Sequence, residues 1–171
     1  NSTGYTMGNF YNQSGNTYVS WSWRANGGTT STSHTQGDID TTIQVNQDAG
    51  FSIVQYQGDG GSSNFTLAHG LGAKPALVFL KDRDTNGNNN QWQAWHQGLD
   101  TNGYFYLSTN DAQGTSTNGT VNVSANTTNL IGWQRSSTTG GGQTISENGD
   151  NYVMYVWAEI DGFSKFGSYE G

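Results

Sequence analysis

The chain has no cysteine, one proline, two methionines, and six basic against thirteen acidic residues in 171. Without cysteine there are no disulfides, thiolate metal sites or cysteine nucleophiles, so stability must come from packing and sheet hydrogen bonds. Six Lys and Arg, with a net charge of −7, leave no basic stripe to neutralise phosphates, which argues against nucleic acid and against an anionic membrane surface as partners. No run approaches the roughly 20 apolar residues that span a bilayer, and the first residues show no basic stretch leading into an apolar one. Helix formers are thin, and no segment combines a 3.6-residue apolar period with caps. Charged residues are only 11% of the chain, whereas disorder usually joins low hydrophobicity to high net charge.

What the chain has in quantity is aromatic side chains and small polar turn residues. Six Trp, nine Tyr and seven Phe stand among 25 Gly and many Asn, Ser and Thr, and buried rings are large contributors of apolar area. Short β-branched and aromatic runs alternate with Gly/Asn/Asp/Ser clusters. They predict strands at 17–24, 39–45, 51–57, 65–68, 76–81, 91–96, 103–108, 120–124, 130–134, 152–159 and 163–169. About eleven short strands and no substantial helix read as an all-β, antiparallel sandwich or jelly-roll-like module. Tyr152–Ala158 is apolar on both faces and is expected at the centre of a sheet. In Thr17–Arg24 the alternation places Val19, Trp21 and Trp23 on one face and Tyr18, Ser20 and Ser22 on the other, the pattern of a half-buried strand. The stretches 27–36 and 136–148 read as exposed connectors.

The two ends carry the same text. Tyr18-Val19-Ser20-Trp21-Ser22-Trp23 is echoed by Tyr152-Val153-Met154-Tyr155-Val156-Trp157, and Gly50-Phe51-Ser52 returns as Gly162-Phe163-Ser164. This is the signature of tandem repeats. The expected division is the end of a preceding repeat over 1–28, a linker and first strand over 29–50, a complete sandwich repeat over 51–162, and the first strand of a following repeat over 163–171. Open edges at both ends would invite strand pairing with neighbouring modules.

Three constellations could carry chemistry. Asp82, Asp84, Asn86 and Asn88, with Gly87 between them, match the first half of a calcium loop. However, position twelve is Gln93 and not a bidentate Glu, and the flanks are strands, so a long polar hairpin is the competing reading. Trp92, Trp95, Tyr104 and Tyr106, beside Asn89 and Asn90, form a candidate carbohydrate platform, since sugar rings stack on aromatic faces while amides bind hydroxyls. Against that, aromatics at strand spacing are commonly core. Glu159 with Asp161, or Asp82 with Asp84, would supply the paired carboxylates of a glycoside hydrolase, but acids adjacent in sequence are weak evidence for a catalytic pair. His34, His69 and His96 have no metal-ligand spacing, and His69, in a Gly-rich turn, reads as structural. The reading is therefore of a non-enzymatic protein with no required cofactor, calcium being the one ion the spacing would admit.

The segments Asp48–Tyr56, Ala68–Lys81, Trp92–His96 with Gly98-Leu99, Asn151–Glu159 and Gly162–Gly171 together resemble a repeat domain of tail fibre-like structural proteins of tailed bacteriophages, especially marine ones. The resemblance covers nearly the whole chain and brings no catalytic residues; the Asp82-to-Asn86 pattern is not part of it. It implies a virion component in a tail or fibre, exposed to the medium. Its partners would be other copies of itself, a trimer being the natural expectation for a fibre, other virion proteins and a host-surface glycan.

Overall fold

The computed structural model describes residues 8, 13–25, 32–84, 91–135 and 145–169. Eleven strands and a single 3-10 turn make up the regular structure there: β1 (Thr32–His34), β2 (Thr41–Asn46), β3 (Phe51–Gln57), β4 (Phe65–Ala68), β5 (Leu77–Asp82), β6 (Gln93–His96), β7 (Gly103–Tyr106), β8 (Gly114–Thr115), β9 (Thr120–Val121), β10 (Leu130–Gln134) and β11 (Asn151–Trp157), with the turn at Val123–Ala125. They form two sheets, an eight-stranded one in the order β1-β2-β3-β11-β5-β6-β7-β8 and a three-stranded one in the order β4-β10-β9, every pairing antiparallel. The fold is the all-β sandwich expected from the sequence. No helix among the described residues is long and apolar enough to cross a membrane.

The core lies between the sheets and follows strand alternation. Ile43, Val54, Tyr56, Val78, Leu80, Trp95, Tyr152, Met154 and Val156 face inward from the large sheet and meet Phe65, Leu67, Val121, Ile131 and Trp133 from the small one. β11 sits centrally, as its two apolar faces require, paired along its length with β3 and β5. Pro75 comes just before β5, buried at the strand entrance, where a missing N–H costs no ladder bond.

Gly132 lets the 3-10 turn cross the small sheet. Its amide donates to Asn126 Oδ1 at 2.9 Å and its carbonyl accepts from Asn122 N–H at 2.8 Å. A Cβ there would overlap the Ala125 methyl and press on the Asn122 carbonyl oxygen at 2.9 Å. Gly132→Ala is therefore expected to cost about 1–3 kcal/mol through overpacking, read as a lower urea midpoint with an unchanged slope.

Both terminal repeats depart from the expected strands. Residues 16–24 run with no strand assignment, and Val19, Trp21 and Trp23 are exposed, Trp21 to 71%. The alternation is present, but Ser20 and Ser22 stand where β11 has Met154 and Val156, so no second apolar face exists to bury. Residues 163–169 form no strand either. The chain turns back at Gly162, held by the Ile160–Ser164 bridge, and leaves Phe163 and Tyr169 exposed. At the other end of the reading, β1 falls within the stretch expected as loop, and β1 and β2 extend the large sheet into the 29–50 region read as linker and first strand.

Candidate functional site: an aromatic cleft on the outer sheet face

The outward residues of β3, β11 and β5 form a cross-strand aromatic patch. Register pairs Trp157 with both Phe51 and Leu77, and Tyr155 with both Ile53 and Phe79, and side chains paired across strands share a face. Trp157 packs at 5.1 Å from Phe51 and edge-on at 5.0 Å from Phe79, measured between ring centroids. Tyr155 lies parallel to Phe51 at 6.3 Å, and Trp92 stacks on Tyr155 at 5.8 Å.

The terminal segment 16–24 crosses this patch as a ribbon. Trp23 meets Trp157 edge-on at 5.6 Å and Phe51 at 6.3 Å. Ala25 is buried beside Phe51 and Trp157, and the Asn46 side-chain amide donates to the Arg24 carbonyl at 3.3 Å. Between ribbon and sheet a cleft of about 500 Å³ remains, walled by Trp21, Ser22 and Trp23 and floored by Phe51, Ile53, Phe79, Trp92, Tyr155 and Trp157, with Leu107 on the rim. None of these side chains bears a charge. Towards the other end of β3 and β11 lies a polar hollow of about 330 Å³ that includes Asp40, Thr42, Gln55, Gln57, Arg83 and Asn151.

The expected carbohydrate platform is redistributed by the pleat. Trp92 joins the cleft, but Trp95 is 5% exposed, pairs with Val78 and belongs to the core, so it offers no ring face to a ligand. Tyr104 and Tyr106 form their own edge-on pair at 5.4 Å. Register sets Tyr106 opposite Gln93, which in turn faces Leu80, so both tyrosines lie on the opposite side of the sheet from Trp92. Asn89 and Asn90 lie outside the described residues. The sequence reading missed Trp21, Trp23, Tyr155 and Trp157 as site residues; their shared spacing of two was the available signal.

The calcium reading meets a different arrangement. Asp84 Oδ2 accepts the Asn151 backbone N–H at 2.6 Å and its side-chain amide at 3.0 Å, while Asp82 Oδ1 accepts the Asp84 N–H at 2.8 Å. The Asp84 carboxylate thus fastens the end of β5 to β11, while that of Asp82 closes the turn leading to Asp84. Burial raises the Asp82 pKa, with repulsion from Asp84 and Glu147 adding to it, and burial followed by repulsion from Asp82 raises that of Asp150. Among the described residues no group of three or more His, Asp or Glu is gathered to hold a metal ion, and Asn86 and Asn88 lie outside them. Glu159 Oε1 accepts the Phe166 N–H at 3.1 Å and the Gln97 amide at 2.9 Å, which ties the C-terminal segment to the sheet. Its sequence neighbour Asp161 lies in the exposed turn.

A family model described as a domain of unknown function, DUF7483, matches residues 1–171. The chain belongs to the DUF7483 family. No curated protein and no solved structure matches it. The aromatic cleft of this DUF7483 domain is therefore read from its own geometry, and that geometry offers apolar ring faces together with a few neutral donors: the indole N–H groups, the Tyr155 hydroxyl and Ser22.

Proposed function

We propose that this DUF7483 domain is a structural module of a bacteriophage tail fibre or fibre-like appendage, one of several repeats strung along an extended virion protein. The observation that carries the reading is where the repeated text falls. Both copies of the duplicated motifs that lie outside the sandwich, at 18–23 and 162–164, run with no strand assignment. The matching copies inside it fall on central strands, 152–157 on β11 and Phe51-Ser52 on β3, with Gly50 in the turn just before it. The two sheets are built from β1 to β11 without either outer copy as a strand, and on this reading the repeated outer segments serve as connectors between modules. Both edges of the large sheet are short, three residues in β1 and two in β8, which disfavours edge-to-edge sheet growth and favours joining through the chain.

Electron cryo-microscopy of the native assembly tests this. The expected result is a string of such sandwiches along a fibre, the segment after Gly162 of one module running into the sheet of the next. Finding the domain only in a free, non-particle protein would overturn the reading.

A further inference from the structure

We infer that the cleft between the terminal ribbon and the outer sheet face binds a neutral oligosaccharide, with a pyranose ring held between Trp21 and Trp23 above and Tyr155, Trp92 and Phe79 below. This goes beyond the fibre reading and does not depend on it; membership of a repeat array would only multiply the sites and so raise avidity.

Three features select the ligand class. The ten lining residues are uncharged, so a charged ligand would lose its hydration with no counter-charge in return. The floor belongs to β3, β11 and β5, neighbours in mid-sheet whose backbone groups are already paired with one another. An extended peptide added as a strand needs a free sheet edge, and this floor has none. A saccharide needs only side chains: its apolar ring face fits the indole and phenol faces, and its hydroxyls can meet the indole N–H groups, the Tyr155 hydroxyl, Ser22 and solvent at the open side. The cleft volume of about 500 Å³ lies within the range of small-ligand sites.

The neighbouring surface extends the argument from one ring to a chain. Along β11, Asn151 lies on the same face as Tyr155, about 13 Å away at the rise of a strand. Together with Gln55, Gln57 and Thr42 it lines the polar hollow. These amides and the hydroxyl, with Asp40 and Arg83 of opposite charge in the same hollow, lie a few sugar lengths from the aromatic clamp and suit further residues of the same glycan. Longer oligosaccharides are therefore expected to bind more tightly than disaccharides.

The test is a titration of the full 171-residue chain followed by tryptophan fluorescence and calorimetry. The probes are neutral hexasaccharides of glucose, mannose and N-acetylglucosamine, with oligogalacturonate as the charged comparison and sedimentation velocity run alongside. A saturable blue shift with a neutral hexasaccharide is expected, at a dissociation constant of about a millimolar per site. Trp92→Ala and Trp21→Ala should each weaken it at least about tenfold, and Tyr104→Ala, on the other side of the sheet, should leave it unchanged. Trp21 is exposed to 71%, so its removal leaves the fold intact, and unaltered thermal unfolding of that variant checks this. Absence of saturation with every neutral probe would overturn the inference, as would equal binding by Trp21→Ala. A concentration-dependent dimer that Trp21→Ala dissolves, with no saccharide effect, would overturn it in favour of a second copy in the cleft. Saccharide binding by a domain that proves absent from any fibre would leave this site standing and remove only the fibre reading.

Discussion

Replacing Asp59 with alanine is expected to cost about 3 kcal/mol of folding stability, clearly more than replacing Arg135 with methionine. Arg135 follows β10 and its side chain is only 6% exposed. Nη1 donates to Asp59 Oδ1 at 2.6 Å, Nη2 to Oδ2 at 3.4 Å and Nε to the Ser63 carbonyl at 3.0 Å, while the guanidinium lies 4.7 Å from the Phe65 ring centroid. Ser146 closes the knot by donating its hydroxyl to Asp59 Oδ1 at 2.9 Å and accepting the Asp59 N–H at 3.1 Å. The pair thus fastens the loop after β3 to the end of β10 and to the approach to β11.

The asymmetry follows from burial. Removing Asp59 strands a guanidinium that cannot become neutral and that water barely reaches. Removing Arg135 leaves a carboxylate that is 46% exposed and can be hydrated in place, while methionine keeps most of the packing on Phe65. The same exposure puts the Asp59→Ala cost at the low end of the range for broken buried pairs. Urea unfolding of both variants at neutral pH decides it, and a larger loss for Arg135→Met would show that packing outweighs charge at this site. The hydrogen bond from Arg135 also holds the Asp59 carboxyl down at about 2. Because that folded value lies below the unfolded one, the ion pair's contribution is complete above about pH 4 and is lost only as pH falls towards 2.

How much of this could be read from the sequence depends on whether the hydrophobic pattern was complete. Tyr152–Ala158 was legible as a central strand because both parities are apolar: Tyr152, Met154 and Val156 go to the core, while Tyr155 and Trp157 go to the outer patch. Thr17–Arg24 copies only the outward parity, which looks like a half-buried strand until one asks what its serines would face. β1 and β8 carried no signal at all, since Thr32–His34 and Gly114–Thr115 are short and polar, and each joins the large sheet as an edge strand. At the site, the spacing of three between Trp92 and Trp95 already places them on opposite faces of an extended segment. The relation of Trp92 to Tyr155, and of the ribbon to either, rests on pairings across 60 residues or more that no local pattern encodes.

Acid should weaken the fold well before Asp59 titrates, and His69 is the reason. It is fully buried after β4, and its Nδ1 accepts the Leu71 N–H at 3.2 Å, which places the proton of the neutral ring on Nε2. Protonating Nδ1 would break that bond and set a charge in an apolar interior. Burial accordingly lowers the pKa from 6.5 to about 4, against a smaller opposing pull from the backbone of Thr127 and Leu130. Between those two values the unfolded chain binds a proton that the folded one refuses, so stability rises with pH across the window and falls as pH drops from about 6.5 to about 4. At 1.36 kcal/mol per pKa unit, the loss from this one residue is about 2 kcal/mol by about pH 5 and approaches about 3 kcal/mol by about pH 4. Asp82 and Asp150, whose pKa values are raised by burial first, with repulsion from neighbouring carboxylates adding to it, act with the opposite sign, since each takes up its proton more readily in the folded chain, which blunts the lower end of the decline. His69→Asn separates the two effects: its amide oxygen can accept the Leu71 N–H but does not titrate. Urea unfolding from neutral to about pH 5 should then show a steep loss in the native chain and a nearly flat profile in the variant. Parallel profiles would mean that the acid response belongs to the carboxylates and that His69 is charged, or solvated, inside the fold.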